Sequence, residues 1–408
     1  MEVKISPFAA SGTITAPPSK SEAQRMIICA ALAKGSSFIG NIGNSGDVKE
    51  TTACVKSFGA DVKITSDGVN ITGVAKPPEK IELHVDKCGF AARVCLPAAL
   101  ALSSEVEFTV GDELKKRPLR PLIDCLTANG VETDGEIYRG RLKSGVYTID
   151  GNVSSQFISG LLIATAYADG VSDIIVKGER VSENYVDMTV DVMKLFGANA
   201  EKTSGGYRVS GGYKPIKQIA VSGDYSSAAY FLSLGALTGD ITVKGLRKED
   251  KQPDRAIIDI LKKYGAKVEQ GENHVLAKNG EKRAIEFSCK EAPDLAPIVA
   301  VIAAFAKGKS VIRHTARLKD KESDREQGII DMLKAAGIEA EKGTDEITIY
   351  GGKPKGGRFS LPRDHRLIMA ASVLAAAADG ESVIENAESV AKSYPDFFKE
   401  LKNVGLQG

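Results

Sequence analysis

An α/β fold of two similar domains, each made of three copies of one unit, is predicted by three features of this chain. First, a glycine, often followed by alanine, closes a helix pattern at Gly59, Gly130, Gly197, Gly265, Gly337 and Gly405, with gaps of 71, 67, 68, 72 and 68 residues. Second, each interval carries the same order: a very apolar helix, a β-rich segment, a more polar helix, then a β hairpin. Third, the sixth interval stops without closing strands, while two spare strands, Val3-Lys4-Ile5 and Gly12-Thr13-Ile14-Thr15, precede the first helix.

Each element has a local cause. Glycine just past a helix takes the left-handed conformation cheaply, which explains its recurrence. The first helices are expected to begin near Ser19, Gly89, Ser154, Tyr225, Asp294 and Arg363. They end near Gly35, Ser103, Gly170, Gly239, Gly308 and Gly380. Apolar nearly all round, they are predicted to be buried, with the sheets outside. Segments such as Ser172 to Val176 and Gly239 to Val243 read as strands, and Asn184 to Phe196 and Asp254 to Tyr264 as second helices. Glu346 to Tyr350 alternates with period two, as one arm of a hairpin does. The N-terminal strands are expected to complete the last unit. The chain then crosses into one domain at 19–222 and returns, so that 1–18 plus 223–408 form the other, with the functional site in the cleft between them.

Composition bounds the function. The 408 residues carry a net charge of +1, with 43% hydrophobic and 26% charged residues. That balance points to a globular protein with no nucleic-acid or membrane partner. The N-terminus reads as a strand rather than a signal peptide. The apolar runs near Leu295 to Ala306 and Leu367 to Ala378 fall short of the roughly twenty residues that span a bilayer. Six cysteines, at 29, 54, 88, 95, 125 and 289, form no CxxC pair, and the four histidines do not flank them at metal-ligand spacing. The thiols read as reduced and cytoplasmic, and neither metal nor cofactor is expected.

The stretch Pro17 to Arg25 is where the chemistry starts. Two prolines end what precedes them, Ser19 is placed to cap a helix, and Glu22 follows as in a capping box. Lys20 and Arg25 are out of place in a first turn, where the dipole favours acids, unless an anion completes the site. The other first helices are loaded similarly: Gly89 and Arg93, then Ser154-Ser155-Gln156, Asp224 to Ser227, Pro293-Asp294, and Arg363 to Arg366. Loops before the second helices add Arg117, Ser182 to Tyr185, Lys319 to Arg325, and Lys392. Simple capping accounts for Ser154 and Asp294 as well and is the favoured reading of Ser226-Ser227 and of Asp224, but it does not account for the cations taken together. No Walker or dinucleotide glycine motif is present. A ligand with several anionic groups is implied.

These residues resemble the 5-enolpyruvylshikimate-3-phosphate (EPSP) synthase family from Lys4 to Phe398. The likeness rests on Pro18-Ser19-Lys20-Ser21 with Arg25, Arg117-Pro118-Leu119, Ser154 to Leu162, Pro293-Asp294, Lys321 to Arg325, Asp364-His365-Arg366 and Lys392 to Phe398. It implies an inside-out fold of two domains of three βαβαββ units, acting as a monomer. It implies transfer of the enolpyruvyl group of phosphoenolpyruvate to the 5-hydroxyl of shikimate 3-phosphate, the sixth step of the shikimate pathway. Phosphoenolpyruvate would meet Lys20, Gly89, Arg93, Arg117, Gln156, Arg325, Arg366 and Lys392. Shikimate 3-phosphate would meet Lys20, Ser21, Arg25, Ser154, Ser155, Gln156, Ser182, Tyr185, Asp294, Arg317 and Lys321. Asp294, Glu322 and Lys20 would be catalytic.

Three departures stand out. Lys87 and Phe90 replace the family's usual Asn and Thr around Gly89, which puts sensitivity to glyphosate in doubt. Asn184 stands where a proline is common, and Arg317 where an asparagine is, either on the 3-phosphate or solvated. The sibling that acts on UDP-N-acetylglucosamine carries a reactive cysteine before its Arg-Pro motif, where this chain has Gly111 to Lys116. A binding-only paralogue is the other reading, with the altered segment Lys87 to Phe90 in its favour and both carboxylates against it.

Overall fold

A computed structural model describes residues 1–405; the last three residues of the expected 223–408 segment lie outside it. Two compact units are present, one of Pro18–Val221 and one of Met1–Pro17 with Ser222–Gly408. Each has its own apolar core.

The repeat is plain in the third copy. Strand Val146–Asp150, helix Ser155–Tyr167, strand Ser172–Lys177, helix Glu183–Leu195 and strands Asn199–Thr203 and Gly206–Ser210 follow in order. The first two strands pair in parallel and the rest antiparallel. Among the described residues the strands form five four-stranded sheets and one three-stranded sheet. Five of the six repeat glycines, from Gly59 to Gly337, take positive φ between 72° and 96°. Gly405 instead ends the helix Phe397–Gly405. A Cβ there would lie 3.1 Å from the Phe8 ring, so space accounts for this glycine.

The first helices are buried on all sides. Every residue of Gly89–Leu102 is buried, as are all but the last of Tyr225–Thr238 and of His365–Ala377. The second helices keep one apolar stripe. In Ile257–Tyr264, Ile257, Ile258, Ile260, Leu261 and Tyr264 face inward, and Lys262 and Lys263 face outward.

The N-terminal strands differ from expectation. Val3–Ile5 does join the sixth sheet, pairing antiparallel with Ser382–Ile384. Ser11–Thr15, however, pairs in parallel with Asp240–Lys244 of the fourth repeat. Its counterpart Ile219–Ala220, just before the fourth repeat's helix, pairs with Ile39 and Gly40 of the first. The strand leading into each of these helices thus edges the sheet in the unit it is leaving. Each unit gains the fourth, edge strand of one sheet this way.

Candidate active site

Close helix packing sets the geometry. Gly160 lies where a Cβ would come within 2.4 Å of the Arg93 carbonyl, so the helices Gly89–Leu102 and Ser155–Tyr167 meet backbone to backbone. Their N-terminal residues therefore converge: Arg93 donates to Gln156 Oε1 at 2.7 Å and to the Pro118 carbonyl at 2.9 Å. The Arg93 guanidinium also lies 5.2 Å from the Phe157 ring centre. Arg117 packs on Gly89, since a Cβ at Gly89 would sit 2.5 Å from its NH1.

Lys20 opens the first helix, which Ser19 caps by accepting from the Glu22 amide at 3.4 Å. Its ammonium is 2.9 Å from Asp47 Oδ2. Arg25 is buried below: Nε donates to Thr189 Oγ1 at 2.7 Å, NH1 to the Ser21 carbonyl at 2.7 Å and NH2 to the Tyr185 carbonyl at 3.1 Å. Phe90 stacks on that guanidinium at 4.5 Å, so the departure from the family's threonine supplies a cation–π platform. Burial pulls Arg25 down to about 10, with Tyr185, Cys29 and Glu22 opposing, which leaves it charged at neutral pH. The altered loop is held by Glu50, which accepts from the amides of Lys87 and Cys88 at 3.0 Å. Cys88 caps its helix through sulfur and receives the Gln24 amide at 3.0 Å. Ser154 caps the helix that opens with Ser155 and Gln156. Ser182 takes left-handed angles, φ 53° and ψ 43°, at the entry to Tyr185's helix.

The second cluster belongs to the other unit. Gly328 faces Leu367, with 2.3 Å left for a Cβ, which brings helices Arg325–Ala335 and His365–Ala377 together. Arg325, 1% exposed, then reaches three carboxylates. Nε donates to Asp364 at 2.7 Å, NH1 to Asp294 at 2.8 Å and NH2 to Glu322 at 2.5 Å. Arg366 holds the other Asp294 oxygen at 2.7 Å, and Lys392 lies 3.6 Å from Glu322. Burial pushes the Asp294 carboxyl up, but Arg366, Arg325 and Lys321 outweigh it and hold it far below the carboxylate range. Burial likewise lowers Lys321, to about 8, against the pull of Asp294. Arg317 donates to the Lys290 carbonyl at 3.4 Å, and burial lowers it too.

Capping differs from the sequence reading at two helices. Of the two capping candidates at Tyr225–Thr238, Asp224 takes the role as expected, accepting from the Ser227 amide at 2.8 Å, and Ser226 does not. Ser226 instead donates to buried Asp254, whose carboxyl burial and nearby Asp294 push up to about 6. Asp294 sits in the 3-10 turn Pro293–Leu295 and makes no side-chain cap. Its carboxylate is spent on the two arginines, a stronger claim than an amide.

Several partners were invisible in sequence. Asp47 lies 27 residues from Lys20 and reads as an ordinary first-turn acid. Thr189 lies 164 residues from Arg25. Asp364 stood inside the Asp-His-Arg motif, and its spacing from Arg325 held no hint of contact. The predicted phosphoenolpyruvate groups divide as Lys20, Gly89, Arg93, Arg117 and Gln156 on one unit and Arg325, Arg366 and Lys392 on the other.

The Arg117–Gly89 contact yields a test. Gly89→Ala is expected to displace the Arg117 guanidinium and leave the fold intact. One charge-assisted hydrogen bond lost, about 1.5–3 kcal/mol, corresponds to a KM for phosphoenolpyruvate raised roughly tenfold or more in steady-state kinetics. An unchanged KM would place Arg117 outside the site.

Comparison with known proteins agrees with the fold and motifs. The profile of the family EPSP synthase (3-phosphoshikimate 1-carboxyvinyltransferase) matches residues 6–401. The 3-phosphoshikimate 1-carboxyvinyltransferase of Thermococcus kodakarensis is 36% identical, covering 96% of this chain and 97% of that one. The protein of the same name from Pyrococcus furiosus is 37% identical, covering 98% of both. EPSP synthase from Acinetobacter baumannii matches in structure with a TM-score of 0.83 at 26% identity, covering 99% of this chain and 98% of that one. The enolpyruvyl transferase NikO from Streptomyces tendae, at TM-score 0.77, 18% identity and coverage of 98% and 97%, is a likeness of fold alone. With its motifs in the family's order, its buried helices inside small sheets and relatives matched over nearly their whole length, the chain belongs to the EPSP synthase family of 3-phosphoshikimate 1-carboxyvinyltransferases.

Proposed function

We propose that the chain performs the family's reaction with both clusters acting on one substrate pair: the enolpyruvyl group of phosphoenolpyruvate passes to the 5-hydroxyl of shikimate 3-phosphate, and phosphate leaves. The observation that carries the assignment of roles is that Asp294 and Glu322 share one guanidinium, that of Arg325. The reaction needs two proton-transfer groups near adjacent carbons. An acid protonates C3 of phosphoenolpyruvate, which builds positive character at C2. The 5-hydroxyl oxygen bonds to C2 and releases its proton to a base. The tetrahedral adduct then loses a C3 proton and breaks the C2–O bond to phosphate.

Asp294 serves as the base, being ionised throughout the physiological range. Glu322, with Lys20, handles the C3 proton. Arg93, Arg117, Arg325, Arg366 and Lys392 with Gln156 hold the carboxylate and phosphate of phosphoenolpyruvate, where forked guanidinium groups match paired oxygens. Ser21, Arg25, Ser154, Ser155, Ser182, Tyr185, Arg317 and Lys321 take shikimate 3-phosphate. The free, buried cysteines suit a cytoplasmic enzyme, and among the described residues no helix is long and apolar enough to cross a membrane. A monomer is the family expectation.

The experiment is an assay of phosphate release from phosphoenolpyruvate. Release is expected with shikimate 3-phosphate and not with UDP-N-acetylglucosamine. Release with the nucleotide sugar alone would overturn the substrate, and binding of shikimate 3-phosphate without release would make the chain a binding protein.

A further inference from the structure

Glu326 is buried and ionised, and the chemistry above does not use it. It is the second residue of the helix Arg325–Ala335, and its side chain has 0% exposure. Thr315, itself fully buried, donates its hydroxyl to Glu326 Oε1 at 2.7 Å. Lys342 lies 2.8 Å from Oε2 and Lys319 3.5 Å from it. Burial pushes this carboxyl up, but Lys342, Thr315 and Lys319 outweigh that and keep it below the ordinary glutamate range.

An acid in a first turn complements the helix dipole, but it does so when exposed as well. Burying a carboxylate costs several kcal/mol before its partners compensate, and replacing a whole buried ion pair by apolar residues is often neutral or stabilising. Stability alone is a weak reason to keep this charge, and its partners point to another. Thr315 precedes, and Lys319 lies within, the turn Ala316–Asp320, which contains Arg317 and runs directly into Lys321 and Glu322. Lys342 comes from the strand Glu339–Lys342, the outer hairpin of the same repeat. The hairpin grips the loop a second time through Asp345, whose carbonyl accepts from the His314 amide at 2.8 Å and whose Oδ1 accepts from the Ala316 amide at 2.9 Å.

We propose that Glu326 is a positioning residue, tying the loop 315–320 to its helix and hairpin so that Arg317 and Lys321 are presented in fixed register to shikimate 3-phosphate. This rests on the reading of those two residues given above. Because Glu326 acts through the loop, its loss should fall on one substrate. Phosphoenolpyruvate is held largely by groups that the loop does not carry.

The test compares Glu326→Leu, Glu326→Gln and Thr315→Val with the parent in steady-state kinetics and thermal unfolding. Glu326→Leu is expected to raise KM for shikimate 3-phosphate by about ten- to a hundredfold, in line with small misplacements of binding groups. KM for phosphoenolpyruvate should change far less, and the unfolding midpoint should fall only modestly, since Lys342 and Lys319 regain water and the Thr315 hydroxyl is what loses its acceptor. Glu326→Gln keeps the acceptor for Thr315 and should fall between parent and Leu. Thr315→Val, which removes only the hydroxyl, should shift the same KM in the same direction and provides the test if the Leu variant does not fold. Unchanged KM for shikimate 3-phosphate in these variants, or equal rises for both substrates, would overturn the inference. Lys321→Ala separates the two readings. If it leaves that KM unchanged, the assignment of the loop to this substrate fails. If it raises KM while the Glu326 and Thr315 variants do not, positioning alone fails.

Discussion

Asp294→Asn is expected to lower kcat by about 10²- to 10⁴-fold, the usual contribution of a positioned acid–base group, while the protein still folds. The carboxylate lies between Arg325 NH1 and Arg366 NH2 at 2.8 and 2.7 Å, and these cations together with Lys321 keep it ionised far below neutral pH. So depressed a group is a weak base in the resting state. It orients the 5-hydroxyl as an acceptor and takes the proton as the new C–O bond makes that hydroxyl acidic. Asparagine preserves the shape and an acceptor oxygen but cannot take the proton. Stopped assays over enzyme concentration, with circular dichroism as the check on folding, decide the matter. A kcat within a few-fold of the parent would remove Asp294 from the chemistry. Because the group's folded value lies below its unfolded one, it stays charged above about pH 4, and no acid limb in kcat between pH 5 and 7 should trace to it.

Asp364→Ala is expected to destabilise its unit by about 3–5 kcal/mol, the cost of removing one partner from a buried ion pair. Asp364 has 0% side-chain exposure, holds Arg325 Nε at 2.7 Å and caps His365–Ala377 by accepting from the Arg366 amide at 2.9 Å. Asp294 and Glu322 remain on Arg325, which favours the lower end of that range. Lost capping adds about 1 kcal/mol. Urea unfolding at neutral pH measures the loss. A change below about 0.5 kcal/mol, the range of surface substitutions, would show that the other two carboxylates suffice. Asp364→Asn keeps a capping oxygen and should lie between Ala and parent. The same variant is expected to impair turnover, because Arg325 and Arg366 both take their places from Asp364.

These two residues mark how far the sequence could be read. Asp294 was legible as a candidate site residue from its place at a helix start and from the family motif. Its ionisation was not, since that depends on Arg325 and Arg366 arriving from elements 31 and 72 residues further along the chain. Asp364 was legible only as a letter in a motif. Phe90 was noticed as a departure, but its role beneath Arg25 came from the packing of two helices. Of the two caps expected at Tyr225–Thr238, Asp224 serves and Ser226 does not: both residue types cap well, and Asp254, from another element, drew the serine away.

The sequence by itself determined the repeat, the alternation of buried and amphipathic helices, and the collection of cations and hydroxyls at helix starts. Each of these is written in periodicity and in the chemistry of helix ends, which act over a few residues. Only the tertiary structure decided that Ser11–Thr15 and Ile219–Ala220 edge sheets of the unit they leave, and that Lys20 pairs with Asp47. It alone placed three carboxylates on Arg325 and buried Glu326 behind the loop 315–320. Those outcomes depend on strand register and on helix separations set by residues such as Gly160 and Gly328, whose effect appears only when distant parts of the chain are packed together.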